Sequence, residues 1–262
     1  MVQTEKKRTS KLIPTAEEVQ KLADEFEDKT PEELLRWTFD RFGGRAAICT
    51  SLQSGGMAIL DMAHKVDPSA RVFTIDTGRL PQETYEVIDQ ARDRYGMAIE
   101  VYSPDQDDLA AMVAKHGINP FYRSYSLRLL CCEMRKVNPL NRVLKDLDAW
   151  VTGLMRTQSS TRKNVRKIEI DETHGGIVKI NPLADWDSKQ VWEYIREYDV
   201  PYNSLYDKGY TSIGCAPCTR AIRPGEDERA GRWWWERGMP KECGIHMGPQ
   251  SNGNNKKAEV KA

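Results

Sequence analysis

The 262-residue chain lacks net charge: 39 lysines and arginines balance 39 aspartates and glutamates. A protein that holds long nucleic acid usually carries a basic excess, so that class of partner is disfavoured. No apolar run approaches the roughly 20 residues that a membrane span needs, so no membrane partner is expected. The stretch from Met1 to Lys11 is polar and has no apolar core of the secretory kind. A cytoplasmic address is therefore expected. No internal repeat is visible. A Gly-x-Gly-x-x-Gly fingerprint and a Walker sequence are both absent, which argues against the usual dinucleotide and P-loop sites.

What is present reads as a soluble α/β protein. Thr15 with Glu18, and Thr30 with Glu33, fit capping boxes that open two helices, and Gly43-Gly44 ends the second. Ala46–Thr50 is then a short buried strand, followed by the glycine-bearing loop Ser51-Leu52-Gln53-Ser54-Gly55-Gly56 and a helix over Met57–Val66. Strands are expected at Val72–Ile75, Ala98–Tyr102 and Ala149–Thr152, with helices over Pro81–Tyr95 and Asp108–Lys115 between them. The stretch after Cys131 reads as partly helical. Alternating strands and helices imply parallel βαβ units, a Rossmann-like sheet with helices on both faces. Ligands of such sheets bind at the carboxyl ends of the strands. The loops after the first, second and fourth strands should share one cleft. The chain divides into an N-terminal helical segment (1–44), an α/β domain (45–238) and a mobile C-terminal arm with a polar tail (239–262).

The six cysteines carry most of the chemistry. In a reducing compartment such a set is more often catalytic or metal-binding than disulfide-bonded. Cys131-Cys132 and Cys215-x-x-Cys218 are two thiol pairs, the complement of a 4Fe–4S cluster or a structural zinc. Adjacent cysteines are an uncommon pair for tetrahedral zinc, whereas a cluster offers separate iron corners. Cys243, in Lys241-Glu242-Cys243-Gly244-Ile245-His246, has cationic neighbours that favour a thiolate, and Gly244 lends the segment freedom. Cys49, inside a strand, reads as a small buried hydrophobe.

Taken together, the chain resembles the assimilatory adenylyl-sulfate reductases of bacteria. The resemblance rests on Ser54-Gly55-Gly56, Asp76-Thr77-Gly78, Cys131-Cys132-x-x-Arg135-Lys136, Gly153-x-x-Arg156-x-Gln158-Ser159 and Thr161-Arg162. Cys215-x-x-Cys218, Arg229-Ala230-Gly231-Arg232-Trp233 and Glu242-Cys243-Gly244-Ile245-His246 complete it. These motifs run in order over about residues 45 to 247. The resemblance implies a fold of the adenine nucleotide α-hydrolase type. It implies that Cys131, Cys132, Cys215 and Cys218 hold one 4Fe–4S cluster, and that Cys243 attacks the sulfur of adenylyl sulfate. AMP leaves, and thioredoxin or glutaredoxin then releases sulfite from the S-sulfocysteine. It also implies a homo-oligomer.

The chemistry explains the residue types. A thiolate approaching a phosphosulfate meets anionic oxygens, so cations must offset the repulsion. Lys136, Arg229 and Arg232 are the candidates, with His246 for proton transfer. Lys136 follows Cys132 by four residues, which on a helix puts both on one face. Ser51, Gln53, Ser54, Gly55 and Gly56 are expected to bind the nucleotide. Asp76, Thr77, Gly78 and Arg79 should contact ribose or adenine, and Gly153, Arg156, Gln158 and Arg162 should close over them. Trp233-Trp234-Trp235 is expected to pack the C-terminal region, with a thioredoxin surface as the other reading.

Three rivals stand beside this. A reductase of the 3′-phosphorylated nucleotide shares the class, but that type lacks the two thiol pairs; an enzyme of dual specificity for both nucleotides stays open beside it. An ATP-dependent tRNA sulfurtransferase would show Ser-Gly-Gly-x-Asp-Ser, where this chain has Ala58 and Ile59 at the last two places. A zinc-bound interaction module is the non-enzymatic reading.

Overall fold

The computed structural model describes residues 13–236 and Ile245. The expected arm at 239–262 lies outside the described residues apart from Ile245. Helix α1 (Ala16–Glu25) opens with the Thr15 hydroxyl accepting from the Glu18 N–H at 3.2 Å, while Glu18 accepts from the Thr15 N–H at 2.7 Å. Helix α2 (Pro31–Phe42) repeats the box with Thr30 and Glu33 and stops at Gly43, whose φ is +51°. Both boxes satisfy first-turn amides that have no partner within the helix.

Six strands form one sheet: β1 (Ala46–Cys49), β2 (Val72–Ile75), β3 (Ile99–Tyr102), β4 (Ala149–Val151), β5 (Ile168–Asp171) and β6 (Ile177–Ile180). Their order is β3-β2-β1-β4-β6-β5, and every neighbouring pair is parallel except β5 with β6. Helices α3 (Ser54–Val66), α4 (Gln82–Tyr95), α5 (Gln106–His116), α6 (Tyr125–Cys132), α7 (Asn138–Leu144) and α8 (Ser188–Glu197) complete the chain. None of the helices among the described residues is long and apolar enough to cross a membrane.

Side-chain alternation along the strands makes three layers. Ala46, Ile48, Val72, Ala149, Val151, Val178 and Ile180 face a core shared with α1, α2, α3, α4 and α8. Ala47, Phe73, Trp150 and Ile177 point the other way, onto Leu140, Val143 and Leu144 of α7. Strands covered on both faces need this near-continuous apolar character. β1 lies between β2 and β4. The strand order reverses there, which opens a crevice at the carboxyl ends of these strands.

The expected Rossmann-like layers are present, with three differences. First, the sheet is not wholly parallel: β5 and β6 form an antiparallel hairpin turning through Gly175 and Gly176, whose φ values are +80° and +75°. Second, α3 begins at Ser54 rather than Met57, so Gly55 and Gly56 belong to its first turn. Third, a π-helical stretch, Glu133–Val137, joins α6 to α7. Such widened turns relieve the register of a helix and are frequent at functional sites.

α3 is held by a buried carboxylate. Asp61 accepts from Tyr95 of α4 at 3.0 Å and Tyr194 of α8 at 2.7 Å, and Lys65 lies 2.6 Å away. Both phenols are held above their ordinary pKa, by burial first and then by Asp61. Asp61→Ala strands two buried hydroxyls and is expected to cost about 2–4 kcal/mol in urea unfolding. Lys65→Ala, at the exposed end of the network, should cost less than about 1 kcal/mol in the same measurement.

Candidate active site

The crevice at the switch point is lined from four directions. The β1–α3 connection supplies Ser51, Gln53, Ser54, Gly55 and Gly56; the end of β2 supplies Thr77. The segment after β4 supplies Gly153, Gln158 and Arg162. Lys136 comes from the stretch between α6 and α7, Arg229 and Arg232 come from beyond α8, and Ile245 lies at the same cleft. Twelve of the expected nucleotide or catalytic residues therefore share one cavity: Ser51, Gln53, Ser54, Gly55, Gly56, Thr77, Lys136, Gly153, Gln158, Arg162, Arg229 and Arg232.

One glycine lets the first and fourth loops meet and another tightens the first loop on itself. A Cβ on Gly153 would lie 3.4 Å from the Gly56 nitrogen, and a Cβ on Gly56 would lie 2.5 Å from Thr50 Oγ1. Leu52, buried in the core, takes φ +57°, a conformation costly for a branched side chain. Its N–H bonds Thr50 Oγ1 at 3.0 Å, which holds the strained turn. Several polar groups of this loop already have protein partners. Gln53 donates to Ser51 Oγ at 3.0 Å and accepts from the Ile213 N–H at 2.8 Å. Ser54 gives both its N–H and its hydroxyl to Tyr206. After β4, Gln158 accepts from Arg162 and from the Met155 N–H, fixing a buried guanidinium at the rim.

The remaining expected residues are not in the lining. Asp76 accepts from the Gly78 N–H and from Tyr85, both at 2.8 Å, and shapes the turn in which Gly78 has φ +67°. Arg79 donates to the Ile118 carbonyl and Asn119, and faces the thiols instead. Arg156 turns towards α1's C-terminal side: it pairs with Glu27 at 2.6 Å and donates to the Val165 carbonyl. Cys49, expected to be a buried hydrophobe, is half-buried and lines the cleft. Cys243 and His246 lie outside the described residues.

All four paired thiols surround a second, smaller cavity with Arg79, Arg128, Arg135 and Lys136. Cys131 and Cys132 end α6; adjacent helical residues diverge by about 100°, yet both reach this cavity. Cys215 precedes and Cys218 ends a single turn, Ala216–Cys218, anchored by the Ala216 N–H on the Arg79 carbonyl at 2.8 Å. The Cys215 sulfur lies 3.2 Å from the Thr77 hydroxyl. Among the described residues, no group of three or more histidine, cysteine or carboxylate side chains converges closely enough to hold one metal ion.

The electrostatics of the thiols are uneven. Burial pushes Cys131 above its ordinary value, and burial together with Cys215 pushes Cys218 to about 12. Burial also opposes ionisation of Cys215, but Lys136, the Thr77 hydroxyl and Arg232 outweigh it and lower its pKa. Arg135 donates to the Thr77 carbonyl at 2.6 Å, while its buried Nε has no hydrogen-bond partner among the described residues. A set of thiol sulfurs and buried donors around a shared cavity fits an iron–sulfur cluster, whose sulfides accept such bonds.

Lys136 lines both cavities. The helical spacing from Cys132 points to this, although the stretch is π-helical. Sequence reasoning gave no role to Arg128, Arg135 or Tyr206. Arg128 is fully buried, pairs with Glu236 at 3.0 Å and stacks on Trp233 at 4.4 Å. Trp235 packs on Tyr122 and Phe121, while Trp234 is exposed. The triple tryptophan is thus largely packing around the thiol cavity, as expected. Arg135 was visible in its motif; no local signal marked Tyr206.

The phosphoadenosine phosphosulfate reductase domain model matches residues 45–221. The chain is 56% identical over 176 residues to an adenosine 5′-phosphosulfate reductase of Burkholderia cepacia, covering 67% of this chain and 70% of that one. It is 45% identical over 232 residues to the enzyme of that name from Pseudomonas aeruginosa, covering 87% and 86%. Among solved structures, a phosphoadenylyl-sulfate reductase of Candida auris in a phosphate complex superposes with a TM-score of 0.67 at 30% identity, covering 80% of this chain and 98% of that one. With a two-loop cleft, a lysine shared with a four-thiol cavity and these similarities together, the chain belongs to the phosphoadenosine phosphosulfate reductase domain family, alongside members named adenosine 5′-phosphosulfate reductases.

Proposed function

We propose that the protein reduces adenylyl sulfate to sulfite and AMP through an S-sulfocysteine on Cys243, resolved by thioredoxin or a similar dithiol. It is an adenylyl-sulfate reductase of sulfate assimilation, a cytoplasmic homo-oligomer in this reading. Its parts are a helical segment (1–44), the nucleotide- and cluster-binding domain (45–238) and the arm that carries the nucleophile (239–262).

The observation that carries the reading is the double placement of Lys136, between the four thiols and the nucleotide cleft. A cation there meets the anionic sulfate on one side and the thiol centre on the other. Arg229 and Arg232 approach the same cleft from the C-terminal layer. Arg232 lies against the Cα of Gly214, where a side chain would displace it, and donates to the Cys218 carbonyl. Together the three cations offset repulsion between thiolate and sulfate and stabilise charge on the departing phosphate.

Cys243 attacks the sulfur, the bond from sulfur to the phosphate oxygen breaks, and AMP leaves with the electron pair. One thiol of the reductant then attacks Cys243, sulfite leaves, and the second thiol closes the reductant's disulfide. His246 is placed in sequence to move a proton during these steps. Ile245, two residues from Cys243 in the sequence, lines the cleft, which supports the assignment. Cys131, Cys132, Cys215 and Cys218 would hold a 4Fe–4S cluster, the separate iron corners suiting sulfurs that ring a cavity rather than converge. When bound, the cluster supplies a tie between α6 and the Ala216–Cys218 turn and a local field beside the sulfate.

The second reading, reduction of the 3′-phosphorylated nucleotide, draws on the similarity to the Candida auris structure. Competition between the two sulfonucleotides on the purified protein separates them.

Three outcomes are expected. Adenylyl sulfate without reductant should add one sulfonate to the intact protein by mass spectrometry, and Cys243→Ser should lose the adduct yet still bind nucleotide; an adduct persisting in the variant would remove the nucleophile assignment. Lys136→Ala should lower kcat by about 10²- to 10³-fold without the thermal destabilisation of a core mutant. Anaerobically purified protein should contain about four iron and four acid-labile sulfide per chain, and Cys218→Ser should lose them; stoichiometric zinc would instead favour a structural module.

A further inference from the structure

Tyr206 stands in the wall of the cleft on the short turn Ser204–Lys208. The turn is held from within. Buried Asn203 donates to Thr84 Oγ1 at 3.0 Å, and its side-chain and backbone oxygens accept from the N–H groups of Leu205 and Tyr206, each at 3.0 Å. The ring meets Trp192 edge-on, with centroids 5.0 Å apart. The phenol is thus placed rigidly at the start of α3.

Its hydroxyl accepts from the Ser54 N–H at 3.1 Å and from the Ser54 hydroxyl at 3.2 Å. A phenol oxygen has about two acceptor positions and one hydrogen to give. Both acceptor positions are occupied by one serine. The remaining function of the group is donation, and no acceptor for its hydrogen exists among the described residues. Burial holds the phenol above its ordinary pKa, so it stays protonated. Meanwhile Ser54 has spent both donors on protein. The serine of the Ser-Gly-Gly motif therefore has no donor left to give a ligand. What faces the cleft there, beside the first turn of α3, is an O–H donor whose lone pairs are saturated. The first turn of a helix favours an anion.

We propose that Tyr206 is a substrate-binding residue whose hydroxyl donates to a phosphate oxygen of the adenylyl group, and that Ser54 acts through it by fixing its orientation. This rests on the reading of the cleft as a sulfonucleotide site. The same donor would serve the bound sulfonucleotide and the departing AMP, since both carry that phosphate.

Calorimetry with AMP and with adenosine on the full chain separates the possibilities, because only AMP carries the phosphate. Tyr206→Phe should weaken AMP about tenfold, the value of a hydrogen bond to a charged group, and leave adenosine within twofold. Ser54→Ala, which keeps the backbone N–H, should weaken AMP less than Tyr206→Phe does. Equal losses for AMP and adenosine would mean a structural role and overturn the proposal, as would a larger effect of Ser54→Ala. Thermal unfolding of both variants without ligand checks that they are folded; should Tyr206→Phe fail to fold, Ser54→Ala still decides, since a loss of AMP affinity of about tenfold or more with adenosine unchanged would mean that Ser54 itself holds the phosphate and would overturn the proposal, whereas a smaller loss supports it. A wild-type chain that binds neither AMP nor adenylyl sulfate would remove the sulfonucleotide reading itself, a result distinct from these.

Discussion

The structure depends on positive charge held out of water. Arg128, Arg135, Arg162, Lys167 and Arg232 are all buried. A buried cation needs a counter-charge or a full set of acceptors, since its desolvation costs several kcal/mol. Arg128 has Glu236, and Lys167 has Asp185 at 2.9 Å with the Lys29 carbonyl at 2.7 Å. Arg135 and Arg232 are satisfied differently. They bond the Thr77 and Cys218 carbonyls and have no carboxylate partner among the described residues. Arg135 borders the thiol cavity and Arg232 the cleft, and both lie close enough to Cys215 to favour its thiolate. Zero net charge across the chain conceals this concentration.

The cleft walls are built by tightening, and the tightening has a cost that the rest of the domain offsets. Leu52 adopts a left-handed backbone so that its side chain enters the core while Ser51 and Gln53 turn outward. Gly153 then allows the loops after β1 and β4 to touch, while Gly56 lets the first turn of α3 close on Thr50. Gln53 clips the Ile213 N–H onto this pair, drawing in the segment that carries Arg229 and Arg232. Strain of this kind persists only where surrounding packing over-determines it. The buried Asp61 network supplies some of that, since it holds α3 between α4 and α8.

Much of this was legible in the sequence because the signals were local. Thr15/Glu18 and Thr30/Glu33 capped helices as read, and the short apolar runs at 46–50, 72–75, 98–102 and 149–152 became strands within a residue or so. The β5–β6 hairpin has a signal of its own, in the alternation of Ile168 to Asp171 and the Gly175-Gly176 turn, but it lies outside the βαβ pattern that marks the other strands. The thiol pairs stood out by type, and the cavity they share bears on them directly. Arg156 was less legible: a basic residue after a strand end is equally suited to a nucleotide or to Glu27, and the long-range position of α1 decided it. Tyr206 was illegible, because its role depends on a contact with Ser54 across 152 residues.

The loop after β2 explains why two thiol pairs separated by more than eighty residues of sequence meet beside the cleft. Thr77 lines the cleft, its hydroxyl contacts the Cys215 sulfur, and its carbonyl accepts from Arg135. Arg79 offers its carbonyl to the Ala216 N–H and its guanidinium to the Ile118–Asn119 turn that leads towards α6. Tyr122, just before α6, closes the ring by donating to the Pro217 carbonyl at 2.9 Å. One four-residue turn thus templates α6 and the Ala216–Cys218 turn on one side and the nucleotide cleft on the other. Thr77 is thus a contact of the thiols and a wall of the cleft at once, so the two places share a residue rather than a path across the sheet.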